Sequence, residues 1–456
     1  MADNNIHREN FRRMTETPVS SLIPKLALPT IISMLVSSIY NMADTFFVSQ
    51  LGTSASGAVG IVFSIMAIIQ AVGFTIGMGS GILTSKALGA KDIDRADTLV
   101  SSGFFSALLI GCFLSIIGLS CNKMIMSSLG ATPTILPYAE AYASYIFIAC
   151  PFMIGSFVMN NILRSEGKAM YAMVGIATGG ILNIALDPLF IFTFRLGTAG
   201  AAIATAISQI VSFSLLLSAF LRGKSDAMIR ITKVSFQPKL YFNILKTGLP
   251  SLARQGLASI ATILLNVNAS VYGDAAIAAM SISGRITFFI FSALLGFGQG
   301  FQPVSSFNWG AKRYDRVYKA TVFTAFVGTV GITIMSILCF IFAPYLIRVF
   351  RKDDLDVIRI GIAALRAQCL LLPVTGINVT TNMSLQSTSH VSSATFLAMC
   401  RQGIFFIPAI ILLPRIMGLA GIEIAQPVAD VFTFLCSLFF FIAYLKELKI
   451  KIKEMA

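Results

Sequence analysis

Residues 56–85 read SGAVGIVFSIMAIIQAVGFTIGMGSGILTS, a stretch without a single Asp, Glu, Lys or Arg. A helix needs about 20 mostly apolar residues to cross the hydrocarbon core of a bilayer, and this stretch is longer than that. The chain supplies twelve such stretches, near residues 19–48, 56–85, 99–119, 135–161, 169–193, 199–221, 243–268, 275–306, 318–343, 356–384, 393–413 and 418–445. The sequence therefore predicts twelve membrane crossings.

The composition of the whole chain agrees with lipid as its solvent. Of the 456 residues, 56% are hydrophobic and 12% are charged, and the mean hydropathy is +0.82. A soluble domain of this length needs more polar residues to cover its surface. The long apolar runs favour helices over a β-barrel, whose strands would alternate over ten-residue segments. We expect an all-α polytopic fold, with kinks at the prolines inside the spans, Pro29, Pro151, Pro188 and Pro373.

The sequence lacks the motifs of several classes of function. No GxxxxGK[ST] loop is present to bind nucleotide phosphates, which argues against an ATP-driven pump. HExxH and GxSxG are also absent, and no span holds a plausible histidine base, so an intramembrane enzyme is disfavoured. The seven cysteines form no CxxC pair and the histidines number only two. We expect no cofactor.

The net charge of +14 is explained by membrane orientation better than by nucleic-acid binding. Basic residues concentrate in segments that share one side, at 8–25, 86–95, 164–168, 222–246, 312–319 and 446–453. The opposite side receives few, namely Lys123, Arg195, Arg348, Arg351, Lys352 and Arg415. The polar start lacks the apolar region of a cleavable signal peptide. Both termini are therefore predicted to be cytoplasmic, in a multi-pass protein of the inner membrane.

An internal repeat divides the chain into two halves. A shift of 221 positions aligns Leu28-Pro29 with Leu249-Pro250, Gly79 with Gly300, Gly89-Ala90-Lys91 with Gly310-Ala311-Lys312 and Asp94-Arg95 with Asp315-Arg316. After a slip of one residue, Pro151 meets Pro373 and Asn160 meets Asn382. Six spans in each half make the repeat parallel, with its pseudo-twofold axis along the membrane normal. We expect an N-terminal bundle at 1–221, a basic linker at 222–242 and a C-terminal bundle at 243–456.

Several motifs carry a family resemblance. They are Ile39-Tyr40-Asn41-Met42-Ala43-Asp44-Thr45-Phe46-Phe47-Val48, Gly89-Ala90-Lys91, Leu163-Arg164-Ser165-Glu166-Gly167, Asn183 to Pro188 and Gly197 to Ala204. Over nearly its whole length the chain resembles the multidrug and toxic compound extrusion (MATE) transporters, and within them the bacterial DinF-type branch. The resemblance implies two pseudo-twofold related bundles of six helices.

The resemblance to the DinF-type branch also implies a cation-coupling site. Its residues are Asp44, Asn183, Asp187 and Thr205, with Tyr40 and Asn160 nearby, and the same four would ligate the ion if it is Na⁺. The NorM-like branch has carboxylates on helices seven and ten instead. Here those helices carry Arg254-Gln255 and Asn378 or Asn382, so the resemblance to that branch fails at its functional positions.

Elementary physical chemistry points to the same residues. A carboxylate deep in a spanning helix is costly and indicates function, which applies to Asp44 and Asp187. With a rise of ~1.5 Å per residue, these two residues and Thr205 each lie roughly 9 Å from the outer ends of their helices. Asn183 shares a helix face with Asp187, and Tyr40 with Asp44. Such oxygens suit a hard cation or a shared proton. The alternative is that Asp44 caps a helix and that Asp187 only precedes a kink.

Other polar residues leave alternatives open. Arg254, Arg285, Arg366 and Arg401 lie within the later spans beside Glu423 and Asp430, where they either pair inside the bundle or shape a second cavity. The many Phe and Met side chains suit a pliable pocket for flat cationic drugs. As substrate-binding candidates we single out Tyr40, Tyr142 and Asn160.

The sequence thus predicts an antiporter that couples H⁺ or Na⁺ to the export of organic cations or drugs by alternating access. Expected partners are small organic cations and membrane lipid, with no nucleic acid, no obligatory protein partner and a monomeric state. A flippase for a lipid-linked saccharide is the alternative, because the later arginines could bind pyrophosphate. A passive channel is a third possibility, which saturation of transport would distinguish.

Overall fold

The computed structural model describes residues 2–350 and 354–455, without the side chains of residues 2–7 and Thr53. Arg351 and Lys352, which the charge pattern assigns to the outer side, lie outside the described residues. The first eight helices of the described part are α1 (Ala2–Glu16), α2 (Val19–Ser49), α3 (Thr53–Gly89), α4 (Ile93–Ser120), α5 (Asn122–Ser128), α6 (Leu136–Ser165), α7 (Ala169–Pro188) and α8 (Gly197–Leu221). The others are α9 (Pro238–Ser270), α10 (Asp274–Gly310), α11 (Tyr314–Phe350), α12 (Leu355–Leu371), α13 (Thr375–Ser387), α14 (Val391–Met399), α15 (Phe406–Met417) and α16 (Leu419–Glu454).

The predicted spans coincide with these helices. Within the described residues, eleven helical segments are long and apolar enough to cross a membrane, when α12–α13 and α14–α15 are each taken as one segment. The twelfth long helix, α9, has 33 residues and is more polar, because Lys239, Lys246 and Arg254 lie along it. The all-α polytopic fold expected from the sequence is therefore confirmed.

Two of the four prolines that were expected to mark kinks lie where a helix is interrupted. Pro188 ends α7 and is followed by a π-helical turn at Leu189–Thr193, and Pro373 lies in the 3₁₀ turn Leu372–Val374 between α12 and α13. Pro29 and Pro151 lie inside the continuous helices α2 and α6. A proline removes one backbone donor, and neighbouring helices can satisfy the freed carbonyl.

The chain divides into two compact units. Unit 1 comprises Met1–Met14 and Ile32–Leu252, and unit 2 comprises Thr15–Ile31 and Ala253–Ala456. Helices α2 and α9 each contribute residues to both units, and they change unit at equivalent points of the repeat. The domain boundaries at 221 and 243 stay a prediction, since these contacts group the first halves of α2 and α9 differently.

Repeated glycines explain this grouping. In unit 1, a Cβ on Gly79 of α3 would lie 2.0 Å from the carbonyl oxygen of Ile244, in the first half of α9. In unit 2, a Cβ on Gly300 of α10 would lie 2.4 Å from the Cα of Ala27, in the first half of α2. Only glycine allows two helix backbones to approach so closely. The glycine pair found by the repeat therefore marks two equivalent helix contacts.

Candidate functional site

Asp44 and Tyr142 meet inside unit 1. Asp44 lies near the end of α2, and Tyr142, which is completely buried, lies on α6. The Tyr142 hydroxyl donates a hydrogen bond to Oδ2 of Asp44 over 3.3 Å. Because the carboxylate accepts from a neighbouring helix, this geometry disfavours the alternative in which Asp44 caps a helix.

Asn183, Asp187 and Thr205 form the adjoining part of the site. The side-chain amide of Asn183 donates to Oδ1 of Asp187 at 3.2 Å and to the Thr205 hydroxyl at 3.3 Å. All three residues are buried, and they come from α7 and α8. The amide thus joins α7 to α8.

Tyr142 connects the two parts. Its hydroxyl also interacts with Thr205, and the carboxylates of Asp44 and Asp187 interact electrostatically with each other. We call Asp44, Tyr142, Asn183, Asp187 and Thr205 the acid cluster. Four helices, α2, α6, α7 and α8, supply its members.

Three oxygen atoms of the acid cluster have no hydrogen-bond partner among the described residues. They are Oδ1 of Asp44, Oδ1 of Asn183 and Oδ2 of Asp187. A buried polar atom without a partner costs about 1–3 kcal/mol, and burying a charge without one costs more. A proton or a hard cation such as Na⁺ would satisfy these oxygens, so the donor set fits either ion. No group of three His, Cys, Asp or Glu in the described chain could hold another metal ion.

A small cavity of about 30 Å³ adjoins the acid cluster in unit 1. Asn183 and Thr205 form part of its wall, together with Tyr40, Gln70 and Gln209. Its volume is sufficient for about two water molecules. The two glutamines were missed in the sequence, although a lone polar residue inside an apolar span was a signal that could have identified them.

The three substrate-binding candidates lie in different surroundings. Tyr40 lines the cavity, Tyr142 belongs to the acid cluster, and Asn160 is joined to neither by a described contact. The Asn160 amide donates to the backbone oxygen of Ala172 at 3.0 Å, and Asn382 makes the equivalent bond to Ala394 at 2.6 Å. A bond that recurs in both repeats favours a role in helix packing, so a substrate role for Asn160 stays an untested prediction.

A second buried acid pair in unit 1 was missed in the sequence. The Glu166 carboxylate accepts hydrogen bonds from the Ser225 hydroxyl at 2.7 Å and from the backbone N–H groups of Asp226 at 2.9 Å and Ala227 at 3.2 Å. Asp226 in turn accepts from Asn10 of α1 and pairs with Lys168 at 3.3 Å. Burial, and then the neighbouring Asp226 carboxylate, raise the pKa of Glu166 to about 8. The linker is therefore attached to unit 1 through a buried carboxyl group whose pKa is raised.

The charged residues within unit 2 are largely engaged. Arg401 pairs with Asp430 at 2.7 Å, and Arg366 donates to the backbone oxygen of Phe340 at 3.4 Å. Arg254 makes a long hydrogen bond of 3.4 Å to Asn382. These contacts favour pairing inside the bundle over the alternative of a separate cationic cavity.

The chain is similar over most of its length to known transport proteins. The chain is 27% identical over 417 residues to the multidrug export protein MepA of Staphylococcus aureus (strain MSSA476), covering 91% of each chain. Among solved structures, "Crystal structure of MATE in complex with MaL6" superposes with a TM-score of 0.92 at 25% identity, covering 96% of this chain and 99% of that one. "Outward-facing conformation of a multidrug resistance MATE family transporter of the MOP superfamily" gives 0.91 at 25% identity, covering 96% and 98%.

The family model described as MatE matches the chain twice, at residues 29–189 and 250–411. The two matches begin at Pro29 and Pro250, which are equivalent positions of the internal repeat. The first match contains Asp44, Tyr142, Asn183 and Asp187 of the acid cluster. Because both halves match one family and the whole fold superposes on its solved members, the chain belongs to the MATE family of multidrug efflux transporters.

Proposed function

We propose that the protein is an antiporter that exports organic cations in exchange for H⁺ or Na⁺, and that the acid cluster binds the coupling ion. The supporting observation is the set of three buried oxygens without partners on Asp44, Asn183 and Asp187. Asp44 and Asp187 provide the negative charge, while Asn183 and Thr205 provide neutral oxygens. Tyr142 holds the Asp44 carboxylate in place. The position of both acids in the first repeat supports assignment to the DinF-type branch.

Coupling requires that ion binding changes the affinity for drug. In the proposed cycle, an ion enters the acid cluster while the transporter is open to the outside, and α2, α7 and α8 repack around it. The repacked bundle binds drug less well, so the drug leaves, and the return step carries the ion inward. A difference in affinity between two states is the thermodynamic condition for this exchange. Cytoplasmic termini and a monomeric state are part of the same proposal.

Charge-neutralising variants test the assignment of the ion site. Purified wild-type protein, Asp44→Asn and Asp187→Asn are reconstituted into vesicles, and ethidium efflux is recorded under an imposed pH gradient and then under a sodium gradient. Both variants are expected to lose gradient-driven efflux while remaining folded and inserted. Asp274→Asn is the matched control, because Asp274 is exposed at the start of α10. Wild-type efflux from both variants would exclude the acid cluster as the coupling site.

The two gradients also identify the ion. Efflux that follows the pH gradient alone assigns H⁺, and efflux that follows the sodium gradient alone assigns Na⁺. The saccharide flippase has less support than the antiporter, because the Arg401 and Arg366 side chains are engaged by Asp430 and by the Phe340 carbonyl. Ethidium efflux distinguishes the two functions directly.

A further inference from the structure

One face of α16 carries polar side chains through unit 2. Asp430, Ser437 and Tyr444 follow each other at intervals of seven residues, or about two helical turns, and so share a face. All three are buried, with at most 3% of their surface exposed. Tyr444 packs with Val317 of α11 and Leu385 of α13. At Tyr444, this polar face is therefore turned toward α11 and α13.

Several hydroxyl groups along this face have no hydrogen-bond partner in the part of the chain that the structure describes. The Tyr444 hydroxyl lies near those of Thr321, Thr388 and Ser305. Within the described residues, however, neither Tyr444 nor Thr321 has a partner that meets both the distance and the angle of a hydrogen bond. Four more buried hydroxyls that have no partner among the described residues lie on α11, α13 and α16, at Thr324, Thr381, Ser384 and Ser437. Each such group costs about 1–3 kcal/mol unless water satisfies it. Buried water satisfies such groups in many proteins, so we call these hydroxyls along α16 the candidate water path.

A titratable pair lies at the C-terminal end of this path. Nε2 of His390 is 3.0 Å from Glu447, and each side chain is about one-third exposed. Nδ1 of His390 is 3.3 Å from the Thr388 hydroxyl, which is one of the groups around Tyr444. The imidazole thus touches a surface carboxylate on one side and the buried hydroxyls on the other.

Aromatic and charged side chains surround the His390 ring. Its ring contacts Tyr444 of α16 and Trp309 of α10 edge to face. The Lys451 ammonium lies 3.6 Å from Glu447 and over the rings of Trp309 and Tyr314, the latter from α11. Among the described residues, the titratable side chains that contact the imidazole are Glu447 and Tyr444, and Lys451 lies next to Glu447.

A carboxylate lies at the inner end of the path. Asp430 pairs with Arg401 at 2.7 Å and accepts from Gln426 at 3.1 Å. The Arg401 guanidinium also lies over the Phe291 ring, 4.2 Å from its centre. If Asp430 takes up a proton, Arg401 keeps this aromatic partner, so the pair can open without leaving the cation unsupported.

We propose that unit 2 contains a water-filled proton path along α16, with His390 and Glu447 at its mouth and Asp430 as its inner proton acceptor. Nε2 of His390 takes a proton from Glu447 or water, and Nδ1 releases one toward Thr388. The imidazole thus changes tautomer, and its net charge stays the same. The proton then passes along bound water and the hydroxyls of Tyr444, Thr321 and Ser437. It ends on the Asp430 carboxylate, which becomes neutral. The path spans about 21 Å from Tyr444 to Asp430 at ~1.5 Å per residue. It does not depend on the acid cluster of unit 1.

The test is time-resolved infrared spectroscopy of the purified full-length transporter after a rapid drop in pH. Protonation of Asp430 should appear as a carboxylic-acid carbonyl band that is missing in Asp430→Asn. The double variant Arg401→Gln/Asp430→Asn should lack the same band, and it avoids leaving Arg401 unpaired if the single variant folds poorly. The measurement needs no drug or ion gradient, so its outcome is separate from that of the proposed coupling site.

Two isosteric substitutions then test the path. Thr321→Val removes a hydroxyl without a partner next to Tyr444, whereas Thr433→Val on α16 removes one that already bonds to the backbone oxygen of Ala429. We expect Thr321→Val and His390→Gln to slow the appearance of the band on the order of tenfold, and Thr433→Val to leave its rate unchanged. The proposal is overturned if wild type and both Asp430 variants give the same spectrum. It is equally overturned if Thr321→Val and Thr433→Val have the same rate.

Discussion

Attachment of the linker to unit 1 should weaken as pH rises, because the pKa of Glu166 is raised in the folded structure. Its pKa is raised from 4.5 to about 8 by burial and by Asp226. In an opened linker the carboxyl group returns to its ordinary pKa, so the attached state binds one more proton between these two values. The stabilisation is fully present below about 4.5 and is lost as pH rises through about 8. Over this window the opening equilibrium should increase by up to about tenfold per pH unit.

Hydrogen exchange measures this opening directly. The backbone N–H groups of Asp226 and Ala227 donate to the Glu166 carboxylate, so their exchange reports its state. Glu166→Gln is the control, because it cannot ionise. The ratio of wild-type to variant exchange at each pH cancels the intrinsic pH dependence of the chemistry. We expect this ratio to rise steadily between pH 5 and pH 8 and to level off above. A ratio that is flat over this range would show that the pKa of Glu166 is not raised by its attachment to the linker.

Two further substitutions test packing and coupling. Gly248→Ala should lower the free energy of unfolding by about 1–3 kcal/mol, because its Cβ would lie 1.9 Å from the Thr75 carbonyl oxygen. A Cβ on Gly256 of the same helix would meet nothing within 4 Å, so Gly256→Ala should stabilise the fold by about 0.5–1 kcal/mol. Thermal unfolding of both variants checks the pair. Equal shifts of the unfolding temperature would contradict the close approach of α3 and α9. Thr205→Val removes an acceptor of Asn183 and should weaken apparent ion affinity by about tenfold, measured as the ion concentration for half-maximal efflux. Thr262→Val, whose hydroxyl is exposed and bonds to its own helix, is the control, and a similar loss there would argue against a specific role for Thr205.

Local sequence patterns were sufficient for the membrane fold. The span predicted at 169–193 is found as α7 with its π-helical turn, Ala169–Thr193. Such agreement is expected, because the thickness of the hydrocarbon core sets helix length and each helix satisfies its own backbone. The same reasoning found Asp44 and Asp187, since a carboxylate in an apolar run is visible without knowledge of its partners. It also placed Asn183 beside Asp187, because residues four apart share a helix face.

Local sequence patterns could not predict contacts between distant parts of the chain. Tyr142 was singled out for drug binding, but its hydroxyl bonds to Asp44, which is 98 positions away. Glu166 was noticed only as part of a turn motif, and its partners at Ser225–Ala227 lie about 60 positions further along the chain. In the same way, only the packed structure shows that the first half of α2 belongs with unit 2.

The sequence by itself determined the all-α membrane fold, the repeat and the acids that lie in apolar runs, because these depend on hydrophobicity, length and period along one helix. The tertiary structure alone decided which helices supply partners to those acids and which buried oxygens remain without one. Those outcomes depend on helix rotation and on close backbone contacts such as Gly79 with Ile244. Many rotations bury a similar apolar area, so hydrophobicity cannot choose among them, whereas side-chain packing and hydrogen-bond geometry can.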